Sequence, residues 1–519
     1  MKNLNKILTI LAVGALFLSS CSMDVKPTTS IAVDPETEPL FSDVNDLVKF
    51  ENGLYQSFRS VQYGAYTMPL EVMCDGFNAA TGFGNNLGPI HRMDNSYTSS
   101  DQDTETFWAG HYAAIKNYNI FIDALDKYEP ESNQGAFYKM LGEAEAKFFR
   151  AYSYLSLIRV FGKAYNPSTA SSDLGVLLVL HFDQTAEPAR ATVQQVYDQI
   201  KADLDDAYAL LNNVGATVSE LGTGHVTVEA VDALYARYYI DTKQYEKAAE
   251  KAAGLVDGGA FELSSDDDMM QAEWLNDNGT EPIMQLYASL SENGTGINDY
   301  YTQLSYNANY VSVNGTGYYF QPYFLPSGKL INLYEDNDLR RTNWFMSRYT
   351  TGNGCPLLRL SSLQYCTVEV FTKYYGNPAL TSSYPNARQA AKPFLIGEQY
   401  LIAAEAYLAA GDATNAKKYL NDLQAARGAT ETEATAENIQ NEWFKETVGE
   451  GLRMSCIKRW GTGFSGRVQQ ARNNGEALTG DIYVGKNFPA SDYHWQWAIP
   501  AYEMKVNANI VQNPGYGAE

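Results

Sequence analysis

Residues 227–256 read TVEAVDALYARYYIDTKQYEKAAEKAAGLV, and this pattern sets the fold expected for the whole chain. Within it, Ala236 is followed by Tyr239 three residues later and by Ala248 twelve residues later, with a short break at 242–244. Small residues let two helices approach closely, and a tyrosine beside them fills the remaining gap. The spacing is typical of the tetratricopeptide repeat, so this segment is predicted to form a helical hairpin.

A second segment repeats this spacing. Residues 393–426 read PFLIGEQYLIAAEAYLAAGDATNAKKYLNDLQAA, in which Ala404 is followed by Tyr407 at three residues and by Ala416 at twelve. Residues 411–412 interrupt the pattern at the place of the earlier break. Two hairpins of one type predict an α-rich framework in which neighbouring hairpins stack and bury a shared core.

Apolar residues recur with helical spacing in several other segments. Ala151 and Tyr154 repeat the first step of the hairpin spacing, so a third hairpin is expected to begin there. The Gly- and Asn-rich residues 63–100 are predicted to be a loop, and the tail from Tyr493 is predicted to be loop or strand. The helices predicted from periodicity span residues 43–59, 103–128, 134–161, 193–211 and 436–458.

Between the two hairpins the character of the sequence changes. Residues from about 261 to 390 are dense in Gly, Asn, Ser and aromatic residues, and short alternating runs replace the helical patterns. Such a segment is typical of loops and small strands carried by a rigid framework. Residues 41–519 are therefore expected to form one mainly α domain, a tetratricopeptide-repeat helical scaffold with long inserted loops and small β elements.

The chain is strongly acidic. Its 519 residues hold 38 Lys and Arg against 61 Asp and Glu, which gives a formal net charge of −23. This charge argues against nucleic acid as a partner, because phosphates are held by basic side chains. It also repels anionic head groups, so the folded body is expected to stand off a membrane and to accept neutral or cationic ligands.

The N-terminus has the pattern of an exported protein. Lys2 and Lys6 precede an apolar run of about a dozen residues, which is short for a membrane span, and small residues then lead to Cys21. The ending Leu-Ser-Ser-Cys resembles a bacterial lipobox, so residues 1–20 are predicted to be a signal peptide and Cys21 to be lipidated. An ordinary signal peptide with a chance cysteine is the alternative. Residues 21–40 are polar and contain three prolines, and they are predicted to be a tether.

The most specific motif lies at the end of the chain. Residues 446–461 read ETVGEGLRMSCIKRWG, and residues 499–516 read IPAYEMKVNANIVQNPGY. Upstream, residues 144–152 read AEAKFFRAY and residues 192–200 read TVQQVYDQI. These segments resemble motifs of the SusD/RagB family, and they follow the family's order over nearly the whole mature chain. Cys456 stands where the family usually has an acidic residue.

This resemblance implies a fold and a function. The fold is the helical-repeat scaffold already predicted, and the protein is expected to be an outer-membrane, cell-surface lipoprotein anchored at Cys21. Its expected partner is a TonB-dependent transporter of the SusC type, to which it delivers a captured oligosaccharide or polysaccharide. The alternatives are a RagB-like protein that captures peptides, an all-α glycoside hydrolase and a purely structural repeat scaffold.

Candidate ligand contacts follow from the chemistry of sugars. Sugar rings present C–H faces that pack on flat aromatic side chains, and their hydroxyls need polar partners. The resemblance implies contacts from two regions, the early loop 63–100 and the insertion of about 261–390. The candidates in the early loop are Asp75, Phe77, Asn78 and Phe83. The aromatic candidates in the insertion are Trp274, Tyr300, Tyr301, Tyr306, Tyr310, Tyr318, Tyr319 and Tyr323.

The sequence lacks the spacings of common catalytic and metal-binding motifs. It contains no His-Glu-x-x-His and no Gly-x-Ser-x-Gly, and its five histidines are scattered. No enzymatic activity, catalytic residue or cofactor is therefore expected. The three aspartates at 266–268 are interpreted as a solvated turn, with structural calcium as the alternative. Cys355 and Cys366 are close enough in sequence either to form a disulfide or to stay free.

Charged and aromatic residues of the C-terminal motif are expected to be structural. Glu446, Glu450 and Arg453 lie at helical spacing, so ion pairs between neighbouring turns of one helix are expected. Arg453, Arg459 and Trp460 are expected to hold the last helix against the repeats rather than to contact a ligand.

Overall fold

Several helices begin next to a side chain that caps their first turn. The Asp43 side chain accepts hydrogen bonds from the backbone N–H groups of Asn45 and Asp46 at the start of the first helix. Thr192 and Gln195 form a capping box at the start of a later one. These bonds satisfy N–H groups that a helix leaves without partners of its own.

The computed structural model describes most of the chain. Side chains and backbone are described for residues 40–80, 83–292, 322–345, 369–380, 388–468, 470 and 486–517. Only the backbone is described for the strand residues 295–296, 304–306, 318–320, 357–359 and 365–367. These described residues contain seventeen α-helices and fourteen short strands, so the mainly α fold is confirmed.

The N-terminal half consists of long helices with short elements between them. A one-turn 3₁₀ helix, Gly64–Tyr66, follows the first helix. The other elements, in chain order, are α1 (Val44–Ser60), α2 (Met68–Val72), β1 (Phe77–Ala79), α3 (Gly88–Arg92), α4 (Gln102–Lys127), α5 (Asn133–Phe161), β2 (Leu174–Leu177), β3 (Arg190–Thr192), α6 (Val193–Val214), α7 (Val218–Leu221), α8 (Val228–Asp241) and α9 (Tyr245–Asp257).

The insertion carries most of the strands. Its elements are α10 (Asp267–Asn276), β4 (Pro282–Met284), β5 (Thr295–Gly296), β6 (Leu304–Tyr306), β7 (Tyr318–Phe320), β8 (Phe324–Pro326), α11 (Gly328–Ile331), α12 (Leu339–Trp344), β9 (Leu357–Arg359), β10 (Tyr365–Thr367), β11 (Arg388–Gln389) and β12 (Phe394–Leu395). Asp266 caps α10 by accepting from the backbone N–H of Met269. The acidic run at 266–268 therefore begins a helix rather than forming a turn.

The C-terminal part returns to helices. Its elements are α13 (Ile396–Ala409), α14 (Ala413–Ala426), α15 (Ala436–Glu446), α16 (Arg453–Trp460), β13 (Phe464–Ser465), β14 (Asn487–Phe488), the 3₁₀ helix Tyr493–Trp495 and α17 (Ala501–Val506). The tail was expected to be loop or strand, but it includes these last two helical turns.

Successive helices pack side by side and form the framework of the domain. Helix α5 packs against α4 and α6, α6 against α8, and α8 against α9. Helix α9 then packs against α13, and α13 against α14, although the whole insertion separates α9 from α13 in sequence. Strand β4 pairs with β12, with Met284 opposite Phe394, so the two ends of the insertion meet. The two predicted hairpins are therefore neighbours in one stack.

The residues of the repeat spacing pack as predicted. Tyr239 stacks on Tyr235 with ring centres 5.5 Å apart, and Tyr407 stacks on Tyr419 at 5.6 Å. At the expected third hairpin, the side chains on α5 are also buried, but the next helix, α6, follows only after β2 and β3, so a hairpin with a short break does not form there. The fully buried small and aromatic residues are Ala151, Tyr154, Ala236, Ala248, Ala404 and Ala416.

The predicted helix 436–458 is wrong, because it is two helices. Helix α15 ends at Glu446, and α16 begins at Arg453. Between them Gly449 has φ +81° and Gly451 has φ +79°, a backbone conformation that favours glycine and ends a helix. The early loop also differs from the prediction, because α2, β1 and α3 occupy parts of it.

Buried ion pairs join neighbouring helices of the framework. Arg150 of α5 donates two hydrogen bonds to Asp203 of α6, at 2.9 and 2.7 Å. Arg237 of α8 donates two to Glu398 of α13, both at 2.7 Å. Bidentate pairs of this kind fix the rotation of one helix against the next.

The last of these pairs fixes α16, as predicted. Arg459 donates to Glu405 of α13 at 2.9 and 2.7 Å, and the Trp460 indole N–H donates to the same carboxylate at 3.0 Å. Both residues therefore hold α16 against the repeats, whereas Arg453 binds Asp75 of the early loop instead.

Among the described residues, helices that are both long and apolar enough to cross a membrane do not occur.

The close helix approach can be tested on α14. Replacing the buried Ala416 by Leu should lower the free energy of unfolding by about 1–3 kcal/mol, because the added methyl groups force the helices apart. Ala413 lies exposed on the same helix, so Ala413→Leu should change it by less than about 0.5 kcal/mol. Urea unfolding of both variants measures the difference, and equal effects would contradict this packing.

Candidate functional site

The early loop and the insertion meet through a pair of strands. Strand β1 runs antiparallel to β8, with Asn78 opposite Leu325 and Ala79 opposite Phe324. The backbone N–H of Ala80 extends the pairing by donating to the Tyr323 carbonyl at 2.8 Å. The two regions that were predicted to supply ligand contacts are thus part of one structural unit.

A third segment closes this unit. The Val468 carbonyl accepts from the Asn78 side chain at 3.2 Å and from the Gly328 backbone N–H at 2.7 Å. The Gln470 side chain donates to the Pro326 carbonyl at 2.8 Å. We call the unit formed by residues 75–80, 322–329, 467–468 and 470 the three-segment junction.

Asp75 is fully buried at the base of the junction and binds two cations. Its Oδ1 accepts from Arg453 Nε at 2.8 Å, and its Oδ2 accepts from Arg453 Nη2 at 3.0 Å and from Lys329 Nζ at 2.6 Å. Burial alone would raise the pKa of the Asp75 carboxyl, but the charges of Arg453 and Lys329 outweigh it and hold that pKa well below its usual range. Asp75 therefore stays ionised and fixes β1 to α16 and α11.

Arg467 closes the junction from the other side. Its guanidinium is fully buried and donates to the carbonyls of Met73 at 2.8 Å, Cys74 at 2.7 Å and His91 at 2.7 Å. Burial lowers the pKa of Arg467 to about 9, so it remains charged at neutral pH. The Arg467 side chain therefore holds the C-terminal ends of α2 and α3 together.

Glu446 holds the insertion against the framework. Its Oε1 accepts from Arg427 Nη2 at 2.5 Å, and its Oε2 accepts from Arg340 Nη1 at 2.8 Å. Arg427 also binds the Glu281 carboxylate at 2.8 and 2.9 Å. Burial would raise the pKa of Glu446, but Arg427 and Arg340 hold it well below its usual range. These four residues, which we call the buried ionic network, come from α15, the end of α14, α12 and the residue before β4.

The expected ion pairs within one helix are wrong. Glu446 pairs with arginines of other segments, Glu450 pairs with Lys373 at 2.6 Å, and Arg453 pairs with Asp75. The break between α15 and α16 points these three side chains in different directions.

Trp274 is 7% exposed because cations and a second tryptophan enclose it. Lys373 Nζ lies 4.2 Å from the centre of the Trp274 ring and 3.9 Å from that of Trp344. Lys392 Nζ lies 5.5 Å from the same Trp274 ring. Cation–π contacts gain strength where water is excluded, so Trp274 stabilises buried lysines and leaves little surface for a ligand.

The other candidates of the early loop are also buried. An exposed platform was expected, but Asp75 binds cations and Asn78 binds a backbone carbonyl. Phe77 packs against Phe371 with ring centres 5.3 Å apart, and Phe83 packs against Phe324 at 6.1 Å. These four buried side chains lie in or beside β1 and β8 and support the junction. They therefore do not form the exposed platform that was expected.

The remaining candidates lie in or near the insertion strands. Tyr323 is partly buried beside β8. Strand β6 pairs with β7 and sets Tyr306 opposite Tyr318 and Ser305 opposite Tyr319, within a four-stranded sheet of order β10-β9-β7-β6. Other predicted positions lie outside the described residues, namely Cys21, Tyr300, Tyr301, Tyr310 and Cys355.

Sequence reasoning did not find the charged partners that build the site. Lys329 and Arg467 support the junction, and Arg340 and Arg427 complete the buried ionic network. Each lies far in sequence from its partner, so local spacing carries no signal for these pairs.

Two family models match the chain. One, described as starch-binding and associating with the outer membrane, matches residues 23–240. The other, described as the SusD family, matches residues 264–516. Among curated proteins, the SusD-like protein P2 of Formosa agariphila is 24% identical over 92% of this chain and 94% of its own length. The starch-binding protein SusD of Bacteroides thetaiotaomicron is 22% identical over 81% of this chain and 80% of its own.

Solved structures share the fold. A SusD superfamily protein from Bacteroides thetaiotaomicron superposes with a TM-score of 0.72 at 24% identity, and covers 91% of this chain and 100% of its own. A putative sugar-binding protein from Bacteroides vulgatus gives a TM-score of 0.70 at 22% identity, and covers 92% of this chain and 100% of its own. The helical stack and its insertion are therefore an established architecture.

Glu71 supports the turn that leads into α16. It is almost fully buried, and its Oε1 accepts from the Gly451 backbone N–H at 2.8 Å. Burial raises the pKa of the Glu71 carboxyl to about 7, although hydrogen bonds from Gly449, Arg453 and Gly451 favour its ionised form.

Replacing Glu71 by Gln should change how stability depends on pH. The folded-state pKa is about 7 and the ordinary value is 4.5, so ionising Glu71 costs the folded state up to about 3 kcal/mol as the pH rises between these values. Glu71→Gln does not ionise. Its free energy of unfolding relative to wild type should therefore rise across that window and level off above it.

Urea unfolding at about pH 5 and about pH 8 measures this change. Glu433 is exposed and pairs with Lys417 at the surface, so Glu433→Gln is the matched control and should show no such trend. A difference between Glu71→Gln and wild type that stays constant with pH would refute the assignment.

Proposed function

Because this chain belongs to the SusD/RagB family, we propose that it is a cell-surface glycan-binding lipoprotein. It captures oligosaccharide or polysaccharide and delivers it to a TonB-dependent transporter of the SusC type. Its place is the outer membrane, where lipid on Cys21 anchors it and residues 22–40 form the tether.

The observation that carries this proposal is the three-segment junction. Strands β1 and β8 join the early loop to the insertion, and residues 467–468 and 470 complete the same unit. A long glycan needs several contacts held at fixed distances from one another. Loops that extend from one ion-paired unit hold such contacts at fixed distances better than loops that extend from separate parts of the surface.

The names of the relatives support a sugar as the ligand. One matching family model is described as starch-binding, one curated relative is a starch-binding protein, and one structural neighbour is a putative sugar-binding protein. We extend the sugar class to this chain as a proposal. The aromatic density of the insertion fits it, because flat rings pack on the C–H faces of sugars.

Capture and delivery need no bond to be made or broken, so we place the protein among binding proteins rather than enzymes. Delivery requires only that the ligand bind more weakly after the protein closes over its transporter than before. The net charge of −23 suits a neutral ligand and keeps the body away from anionic head groups. The tether lets the body move while the anchor stays in the membrane.

Titration calorimetry on the chain from Ser22 onward tests the ligand class. Panels of oligosaccharides and of short peptides are the two sets of probes, and binding of an oligosaccharide is expected. Alanine at Tyr300, Tyr301 and Tyr319 together should weaken that binding at least tenfold, or by about 1.4 kcal/mol, because stacking surface is lost.

Tyr502 supplies the matched control, since it is a strongly exposed tyrosine on α17. Tyr502→Ala should leave the affinity unchanged. Binding of peptides alone would replace the glycan proposal by a RagB-like one. New reducing ends after incubation with a glycan would replace it by a hydrolase.

A further inference from the structure

A wide cleft lies beside helix α1. Its volume is about 890 Å³. Helix α1 forms one wall, and the segments before α8 and after β4 form the others. Glu51, Tyr55 and His225 line its inner end, and Tyr287 and Glu292 lie at its rim.

Three potential metal ligands meet at the inner end of this cleft. Glu51, Glu145 and His225 each offer one ligand atom, and these atoms lie within 4.8 Å of one another. His225 Nδ1 is 4.0 Å from Glu145 Oε1. Glu145 is fully buried and Glu51 is 6% exposed, whereas the His225 side chain is 46% exposed and faces the cleft. The group is therefore buried on one side and accessible on the other.

One oxygen of each carboxyl group lacks a donor from the rest of the protein. Oε2 of Glu51 and Oε2 of Glu145 are buried, and the described part of the chain supplies neither with an N–H or O–H donor, apart from a proton shared between the two carboxyl groups themselves. The basic residues that line the cleft are paired with other carboxylates, Lys49 with Asp46 and Arg59 with Glu292. Two adjacent buried carboxylates without a cation are unfavourable, so the arrangement points to a positive partner.

A second layer of contacts orients the group. The Tyr55 hydroxyl donates to Glu145 Oε1 at 2.5 Å and accepts from the Val226 backbone N–H at 2.9 Å. The Tyr55 ring also packs edge-on against the His225 ring at 5.8 Å. Such outer partners hold the ligands of metal sites in place.

We propose that Glu51, Glu145 and His225 bind a divalent transition-metal ion of the zinc class. Zinc accepts both carboxylate oxygen and imidazole nitrogen as ligands, and water from the cleft can fill the fourth position. Calcium fits less well, because it prefers six to eight oxygen ligands. Zinc–ligand distances of about 2.0–2.2 Å require the three side chains to move slightly closer together.

The proposed ion would connect three parts of the framework. Glu51 lies on α1, Glu145 on α5 and His225 just before α8, so one ion would join the first helix to two helices of the stack. This inference is independent of the proposed glycan capture. Its rival is a pair of carboxyl groups that share one proton without any metal.

The test is calorimetric titration of ZnCl₂ into the chain from Ser22 onward, treated with chelator and free of any histidine tag. One zinc ion per chain is expected, with a higher melting temperature for the zinc-bound protein. His225→Ala should weaken zinc binding at least tenfold while the fold is kept, because His225 is half-exposed. Glu51→Gln should weaken it by a similar factor.

His181 gives the matched control, since it is an exposed histidine that contacts one carboxylate, Asp123, at 2.7 Å. His181→Ala should leave zinc affinity unchanged. Equal binding by wild type and His225→Ala would overturn the site, and so would tighter binding of calcium than of zinc. Absence of zinc binding, together with greater stability of Glu145→Gln, would establish the proton-sharing pair instead.

Discussion

The rest of the structure depends on one buried carboxylate, Glu446, held between Arg340 and Arg427. Removing these charges from water is costly, and the arrangement is stable only because every partner is present, including Glu281 on the far side of Arg427. The four residues come from the end of the repeat stack, the insertion and the C-terminal helix α15. The network therefore fixes the insertion to the framework beside the paired strands β4 and β12.

The chain that follows α15 positions the three-segment junction. After Glu446 the chain turns through Gly449 and Gly451 and enters α16, whose first residue, Arg453, binds Asp75 just before β1. Lys373 donates to the Glu446 carbonyl at 3.2 Å from the other direction. The segment from Glu446 to Arg453 thus connects the buried ionic network to Asp75, at the base of the three-segment junction.

The sequence predicts local features of this protein well and distant partners poorly. Ala236, Ala248 and the tyrosines beside them reveal the hairpins, because small residues at close helix crossings recur at a fixed spacing. Trp274 was predicted to contact ligand from its aromatic character alone, but that character suits a buried lysine as well as a sugar. Glu446 and Arg453 were assigned to one helix because periodicity continues across Gly449, whose conformation only the structure reveals.

Hydrogen exchange on Glu446→Gln tests the central role of this network most directly. Glu433→Gln, an exposed replacement of the same kind, serves as the reference. We predict that backbone amides of α12 and β8 lose protection at least tenfold in Glu446→Gln, while α8 and α9 keep theirs, because loss of one buried partner releases the insertion before the stack. Unchanged protection in α12 and β8, or equal loss throughout the chain, would contradict it.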